Sequence, residues 1–191
     1  MQHDKKILNI VSGLAVLVSV AITPVSVFAA QTVDGKATLT VVAPSTDTLD
    51  LVTTPNIDFG TTTIADRTNI INGITDTPYT IVDLRGGNTG YRVQVEASNF
   101  ILKNDGKTIL PVTAVAMNVS NNASGTLKGS GSDTNIFGQQ AVVLTGNADS
   151  NGTQISGKVT ASLTLDQEKI QSLKVGEYQA TLTHSIVSGI Q

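Results

Sequence analysis

The stretch "VDLRGGNTGYRVQV", residues 82 to 95, sets an acid, a base and three glycines directly before a run of alternating apolar residues. Two readings compete for it. Glycine-exposed amides can cradle a phosphate, but only where they cap the N-terminus of a helix, usually with a lysine to meet the anion. Gly86, Gly87 and Gly90 lead into a strand pattern instead. Tyr91, Val93, Val95 and Ala97 fall on one face, and Arg92, Gln94 and Glu96 on the other. Neither the helix nor the lysine is there, so the stretch reads as the corner of a β-hairpin. Asp83 and Arg85, two apart in extended chain, share a face and can pair at that corner.

The same alternation recurs outward from this point. In "KVTASLTL" (158 to 165), Val159, Ala161, Leu163 and Leu165 alternate with Thr160, Ser162 and Thr164. In "EYQATLTHSI" (177 to 186), Tyr178, Ala180, Leu182, His184 and Ile186 share a face. Shorter strands are expected at 36–43, 48–52, 79–85, 112–119 and 140–145. Turn-rich stretches such as "KNDGK", "NVSNNASGTLKGSGSDTN" and "TGNADSNGTQ" lie between them. Only "DQEKIQSL" reads as helical, a short turn near 166–173 with Asp166 as its N-cap, ended by the Gly176 turn. There is no internal repeat and no linker. About eight strands at this spacing predict an all-β fold, a single-domain antiparallel β-sandwich around one core.

Composition narrows the function. Charged residues make up 14% of the 191, and cysteine and tryptophan are absent, which removes disulfides, thiol nucleophiles and cysteine metal sites. At the N-terminus, Lys5 and Lys6 precede an apolar stretch from Ile7 to Ile22, Pro24 breaks it, and Val27-Phe28-Ala29 offers a signal-peptidase site. Residues 1–29 are therefore expected to be a signal peptide cleaved between Ala29 and Ala30, leaving a domain over 30–191. A retained membrane anchor is the other reading of that stretch. No cysteine comes after it, so it is not a lipoprotein signal.

Loss of Asp4, Lys5 and Lys6 with the leader leaves ten basic and fourteen acidic side chains, a net charge of −4. With no basic cluster, no nucleic-acid partner is expected. With no second apolar span, no membrane crossing is expected after cleavage. The ending "HSIVSGIQ" carries no sorting motif, so retention on a cell is expected to rest on binding.

Groups able to do chemistry are scarce. After cleavage His184 is the single histidine, it lies on the apolar face of its strand, and no Gly-x-Ser-x-Gly elbow accompanies it. Zinc would need several convergent ligands. Calcium has only Asp149, Asn151 and Gly152 in one loop and Asp133 and Asn135 in another, without the bidentate glutamate of an EF-hand. No catalytic residue, metal or cofactor is expected.

Three segments, in order, resemble the WxL domain, a Gram-positive cell-surface domain named for two Trp-x-Leu motifs. "VTTPNIDFGTTTI" (52 to 64) is similar to its Leu-x-Phe-Gly segment. "VDLRGGNTGYRV" is similar to its Val-x-Asp-x-Arg-Gly…Gly-Trp-x-Leu stretch, and "VGEYQATLTHSI" to its C-terminal Gly-x-Tyr-x-Ala-x-Leu-Thr-Trp-x-Leu stretch. The likeness places Asp83, Arg85, Gly86, Gly90 and Tyr178 as structural motif residues. It places Tyr91 and Val93, and His184 and Ile186, at the Trp and Leu positions of the two motifs, so both tryptophans are replaced. The resemblance implies secretion and non-covalent attachment to peptidoglycan or another wall polymer without catalysis. It also implies partnership with other surface proteins, other WxL proteins or membrane-anchored ones. A structural or adaptor role with such partners, without direct wall contact, is the alternative.

Period two adds a reading of its own. Tyr91 shares a face with Val93 and Val95, and His184 with Leu182 and Ile186. These positions either pack the sandwich or sit at a strand end, where an aromatic ring could stack on a sugar. A linked expectation is that the Tyr91 hydroxyl and the His184 imidazole satisfy one another.

Overall fold

The computed structural model describes residues 38–42, 48–63, 69–86, 89–170 and 173–189. The expected signal peptide, residues 1–29, lies outside them. From Thr40 the chain forms one compact unit. Its described residues carry fourteen strands, β1 (Leu49–Thr53), β2 (Ile57–Asp58), β3 (Ile70–Thr75), β4 (Thr80–Asp83), β5 (Tyr91–Ala97), β6 (Ile101–Leu102), β7 (Val112–Val119), β8 (Leu127–Gly129), β9 (Thr134–Asn135), β10 (Ala141–Gly146), β11 (Gly152–Ile155), β12 (Val159–Leu165), β13 (Tyr178–Gln179) and β14 (Leu182–Ser188).

Every pairing between these strands is antiparallel. Four strands form one sheet in the order β14-β5-β10-β8 and five form another in the order β2-β3-β12-β7-β9. A third sheet, β1-β4-β11, and a ribbon, β13-β6, complete the set. The alternation explains the layering. Val93 and Val95 of β5, Val115, Met117 and Val119 of β7, and Val159 and Leu163 of β12 are all buried in one cluster. Their neighbours Arg92, Gln94, Thr160 and Ser162 face away from it. The fold is the expected antiparallel β-sandwich.

β5, β7 and β12 lie where the sequence places them, and β1 and β10 are each shifted by one residue. Of the short helical turn expected near 166–173, residues 167–170 are turned, and 171 and 172 lie outside the described residues. The Asp166 side chain accepts from Glu168 N–H at 3.1 Å, its carbonyl accepts from Lys169 N–H at 3.1 Å, and Ile170 drops into the core.

Three expectations need correction. The stretch at 82–95 is not a hairpin. β4 is flanked by β1 and β11, and β5 by β14 and β10, so neither strand has an edge left for the other. The loop between them is a corner from one sheet to the next. "EYQATLTHSI" is also two strands rather than one. The chain breaks at Ala180-Thr181, where Ser98 N–H donates to the Thr181 carbonyl at 3.0 Å and Thr181 N–H to the Ser98 hydroxyl at 2.9 Å. Of the strand expected at 36–43, only residues 38–42 are described, and among the described residues they pair with no strand.

β3 escaped the sequence reading because its Asn72-Gly73 mimics a turn. The glycine has a packing cause. A Cβ on Gly73 would stand 2.6 Å from the Ile57 side chain and 3.0 Å from the Phe59 ring.

Candidate functional site

The two motif segments lie on neighbouring strands. β14 pairs β5 without a bulge, so Leu182 faces Ala97, His184 faces Val95, Ile186 faces Val93 and Ser188 faces Tyr91. The motifs thus overlap at the Val93–Ile186 pair. All four positions point to the inner face, because Tyr91, Val93, Val95 and Ala97 have no exposed surface. His184 and Ile186 are half-buried beside them.

Tyr91 fills the place that Gly146 leaves open. The two residues face each other across β5 and β10, and a Cβ on Gly146 would sit 2.4 Å from the tyrosine Cζ. The hydroxyl donates to the Ser150 carbonyl at 3.4 Å. Burial and the nearby Asp83 carboxylate push the phenol up to about 12. A sugar has no access to this ring in the fold as it stands.

Tyr91 does not meet His184. Four residues of register separate them, about 13 Å along the strand. The partner of His184 is Tyr79, whose Oη lies 3.2 Å from Nδ1, with the rings edge-on at 5.7 Å. The Tyr79 hydroxyl also lies 3.5 Å from the Met117 sulfur. Burial lowers the histidine pKa and raises that of the tyrosine, which keeps both neutral near pH 7. Among the described residues the His184 side chain has no other hydrogen-bonding partner. A base for a serine nucleophile needs a different neighbour.

At the other end of the sheet the corner is clamped. The Asp83 carboxylate accepts from Arg85 Nε at 2.9 Å, from Nη2 at 2.7 Å and from the Arg85 backbone N–H at 3.1 Å. Their side chains are 4% and 10% exposed, so this is a buried pair. The guanidinium holds the carboxyl below its ordinary value. Arg85 Nη2 also donates to the Gly90 carbonyl at 3.0 Å, and Nη1 to the Ser188 hydroxyl at the end of β14. Gly189 N–H reaches the same Gly90 carbonyl at 3.0 Å. Gly86 and Gly90 have φ of 66° and 61°, a region side chains avoid. Asp83, Arg85, Gly86 and Gly90 thus come together, and they join β4 to the β5–β14 pair. Tyr178 stands apart in the β13–β6 ribbon, its hydroxyl donating to the Lys174 carbonyl at 2.8 Å.

In the loops weighed for calcium both asparagines bond the chain itself. Asn135 Oδ1 accepts from Phe137 and Val115 N–H, and Asn151 Nδ2 donates to the Ala148 carbonyl. Among the described residues no group of three or more His, Asp or Glu stands close enough to hold a metal.

The sequence reading missed the outward side of the same sheet. Opposite residues of a register share a face, so Val187, Arg92, Thr145 and Lys128 form one row across β14, β5, β10 and β8. The row below it contains Ser185, Gln94 and Val142. The alternation in "YRVQVEA" already turned Arg92 outward, but no local signal announced Lys128, which lies in a stretch read as turns. Tyr79 was legible in part, since "YTIVD" places Tyr79, Ile81 and Asp83 on one face.

A family model described as "WxL domain surface cell wall-binding" matches residues 34–188, nearly the whole chain beyond the expected leader. The chain belongs to that family, which is defined by attachment at the cell surface and not by a reaction. No curated protein and no solved structure matches it. Among the described residues no helix is long and apolar enough to cross a membrane.

Proposed function

We propose that this WxL-family chain is exported, loses residues 1–29, and works as a non-catalytic module held non-covalently on the Gram-positive wall through peptidoglycan or another wall polymer. The observation that carries this reading is the family match across the whole sandwich, 34–188. In this reading the motif positions act from inside. Tyr91, Val93, His184 and Ile186 lock β14 onto β5, and the Asp83–Arg85 clamp fixes the corner, so that the outward face of the sheet meets the polymer as a rigid surface. Loss of the two tryptophans changes the packing residues and leaves that face in place.

One feature favours the second reading, an adaptor that assembles with other surface proteins. Among the described residues β14 is paired on one side only. Its sequence "LTHSIVS" has no proline, no lysine or carboxylate and no bulge, the devices that blunt an edge. A partner strand added there would gain backbone hydrogen bonds along the part of the edge that the neighbouring β1 leaves open.

Co-sedimentation of the exported protein with peptidoglycan stripped of proteins separates the two. Saturable pelleting is expected. Absence of pelleting, with the β-sheet circular dichroism spectrum intact, would reject direct wall contact and leave the adaptor role.

A further inference from the structure

We propose that the outward row Arg92–Thr145–Lys128 is an oxyanion site, which takes a phosphate or carboxylate group carried on the wall polymer. The inference rests on the wall-association reading and names the contact within it.

The register brings the three side chains together. Arg92 faces Thr145 across β5 and β10, and Thr145 faces Lys128 across β10 and β8. The neighbouring row on the inner face, Tyr91, Gly146 and Leu127, is buried, so this one projects outward. Arg92 and Lys128 stand two strands apart, roughly 10 Å between their backbones. Both side chains are long enough to converge above the Thr145 hydroxyl.

Among the described residues nothing answers this charge. Arg85, Lys103, Lys169 and Lys174 are ion-paired, to Asp83, Glu177, Asp166 and Asp105. Arg92 and Lys128 have no such partner among the described residues. The acid on this face of β5, Glu96, is four residues from Arg92, about 13 Å along the strand. Two cations flanking one hydroxyl, in a chain of net negative charge, make a local positive site.

A second observation concerns hydrogen bonding. Arg92 Nε is buried and has no acceptor among the described residues. Buried donors are nearly always satisfied, and a guanidinium edge is shaped for two oxygens of one phosphate or carboxylate. On binding, the Arg92 side chain turns clear of the sheet, and a ligand oxyanion lying between Arg92 and Lys128 supplies the acceptor that its buried Nε lacks. Gln94 and Ser185, in the next row, then face whatever sugar or peptide carries the anion. The motif itself gains a purpose, because burying Tyr91 and Val93 is what turns Arg92 out.

The test is a titration of the ¹⁵N-labelled protein, recovered after export with its own leader, read by nuclear magnetic resonance at the backbone amides and at Arg92 Nε–Hε. Three probes are used: poly(glycerol phosphate), soluble peptidoglycan fragments with free stem-peptide carboxylates, and an uncharged N-acetylglucosamine oligomer. An anionic probe is expected to move Arg92 Nε–Hε and the amides of Arg92, Thr145 and Lys128, with binding weakened by salt. Response to the first probe alone assigns the anion to a phosphodiester, and to the second alone to a carboxylate. Response to both assigns the site to either anion.

Arg92→Gln and Lys128→Gln, whose side chains face outward, should each weaken binding by about tenfold at unchanged melting temperature. Arg92→Lys should restore part of it. Undiminished binding by both glutamine variants, or an equal response to the uncharged oligomer, overturns the proposal. If the protein pellets with wall and both variants pellet equally well, the wall reading stands and this site falls. If it does not pellet but the anionic probes still bind at this row, the oxyanion site stands and the wall reading falls.

Discussion

Removal of Arg85 should be among the most damaging single changes to this fold. The guanidinium makes two side-chain hydrogen bonds to Asp83, at 2.9 and 2.7 Å, one to the Gly90 carbonyl at 3.0 Å, and one to Ser188. Arg85→Ala strands a carboxylate that is 4% exposed, and Asp83→Ala strands a guanidinium that is 10% exposed. Breaking a buried pair by taking one partner costs about 3–5 kcal/mol, because the other charge is left without compensation. That is a large part of the roughly 5–15 kcal/mol that holds a typical domain together. Replacing both, as Asp83→Ala with Arg85→Met, removes the stranded charge, and the double variant should be more stable than either single one. Urea unfolding, read by far-ultraviolet circular dichroism and tyrosine emission, measures all four proteins. A single-variant cost below about 1 kcal/mol, or costs that add to within about 0.5 kcal/mol, would refute the clamp.

The same geometry has other consequences. His184 is buried and its folded pKa lies below the ordinary 6.5, so the unfolded chain takes up its proton first as pH falls. Its stabilising contribution should be complete above about pH 6.5 and decline as pH falls below it; His184→Gln should flatten that part of a urea-midpoint profile. Asp83 has a depressed pKa, so its share persists to lower pH and is lost only below about 4, as Asp83→Asn should show. Gly146→Ala should cost about 1–3 kcal/mol or more in thermal melts, since its methyl would lie 2.4–2.8 Å from the Tyr91 ring, and Tyr91→Leu should relieve part of that cost. Tyr79→Phe should cost about 1 kcal/mol by leaving His184 Nδ1 without its partner; an unchanged denaturation midpoint would remove that bond from the account.

Much of the layering was legible because period two is fixed by backbone geometry. Tyr91, Val93, Val95, Val159 and Leu163 face the core as their alternation requires. The Asp83–Arg85 pair was also legible from its spacing, although the chain bends there, with Arg85 N–H on the Asp83 carboxylate, instead of running extended. Its surroundings were not. A glycine-rich corner between sheets has the local composition of a hairpin, and only the occupied edges of β4 and β5 tell them apart. The partner of His184 lies 105 residues away, and the residues that share the row of Arg92 lie in β10 and β8. Such contacts depend on register between distant strands, which no single stretch encodes. The break at Ala180-Thr181 has the same origin, because alternation continues through it while Ser98 takes the backbone bonds.

The central claim is that the outward face meets the wall while the motif side chains hold that face from within. Tyr91→Phe separates the two roles, since it keeps the ring against Gly146 and removes only the hydroxyl bonded to Ser150. The measurement is saturable co-sedimentation of this variant, of Arg92→Gln and of the unaltered protein with purified wall, with circular dichroism confirming each fold. Tyr91→Phe should pellet like the unaltered protein, and Arg92→Gln should pellet less. Loss of pelleting in a folded Tyr91→Phe protein, with Arg92→Gln unaffected, would contradict that claim.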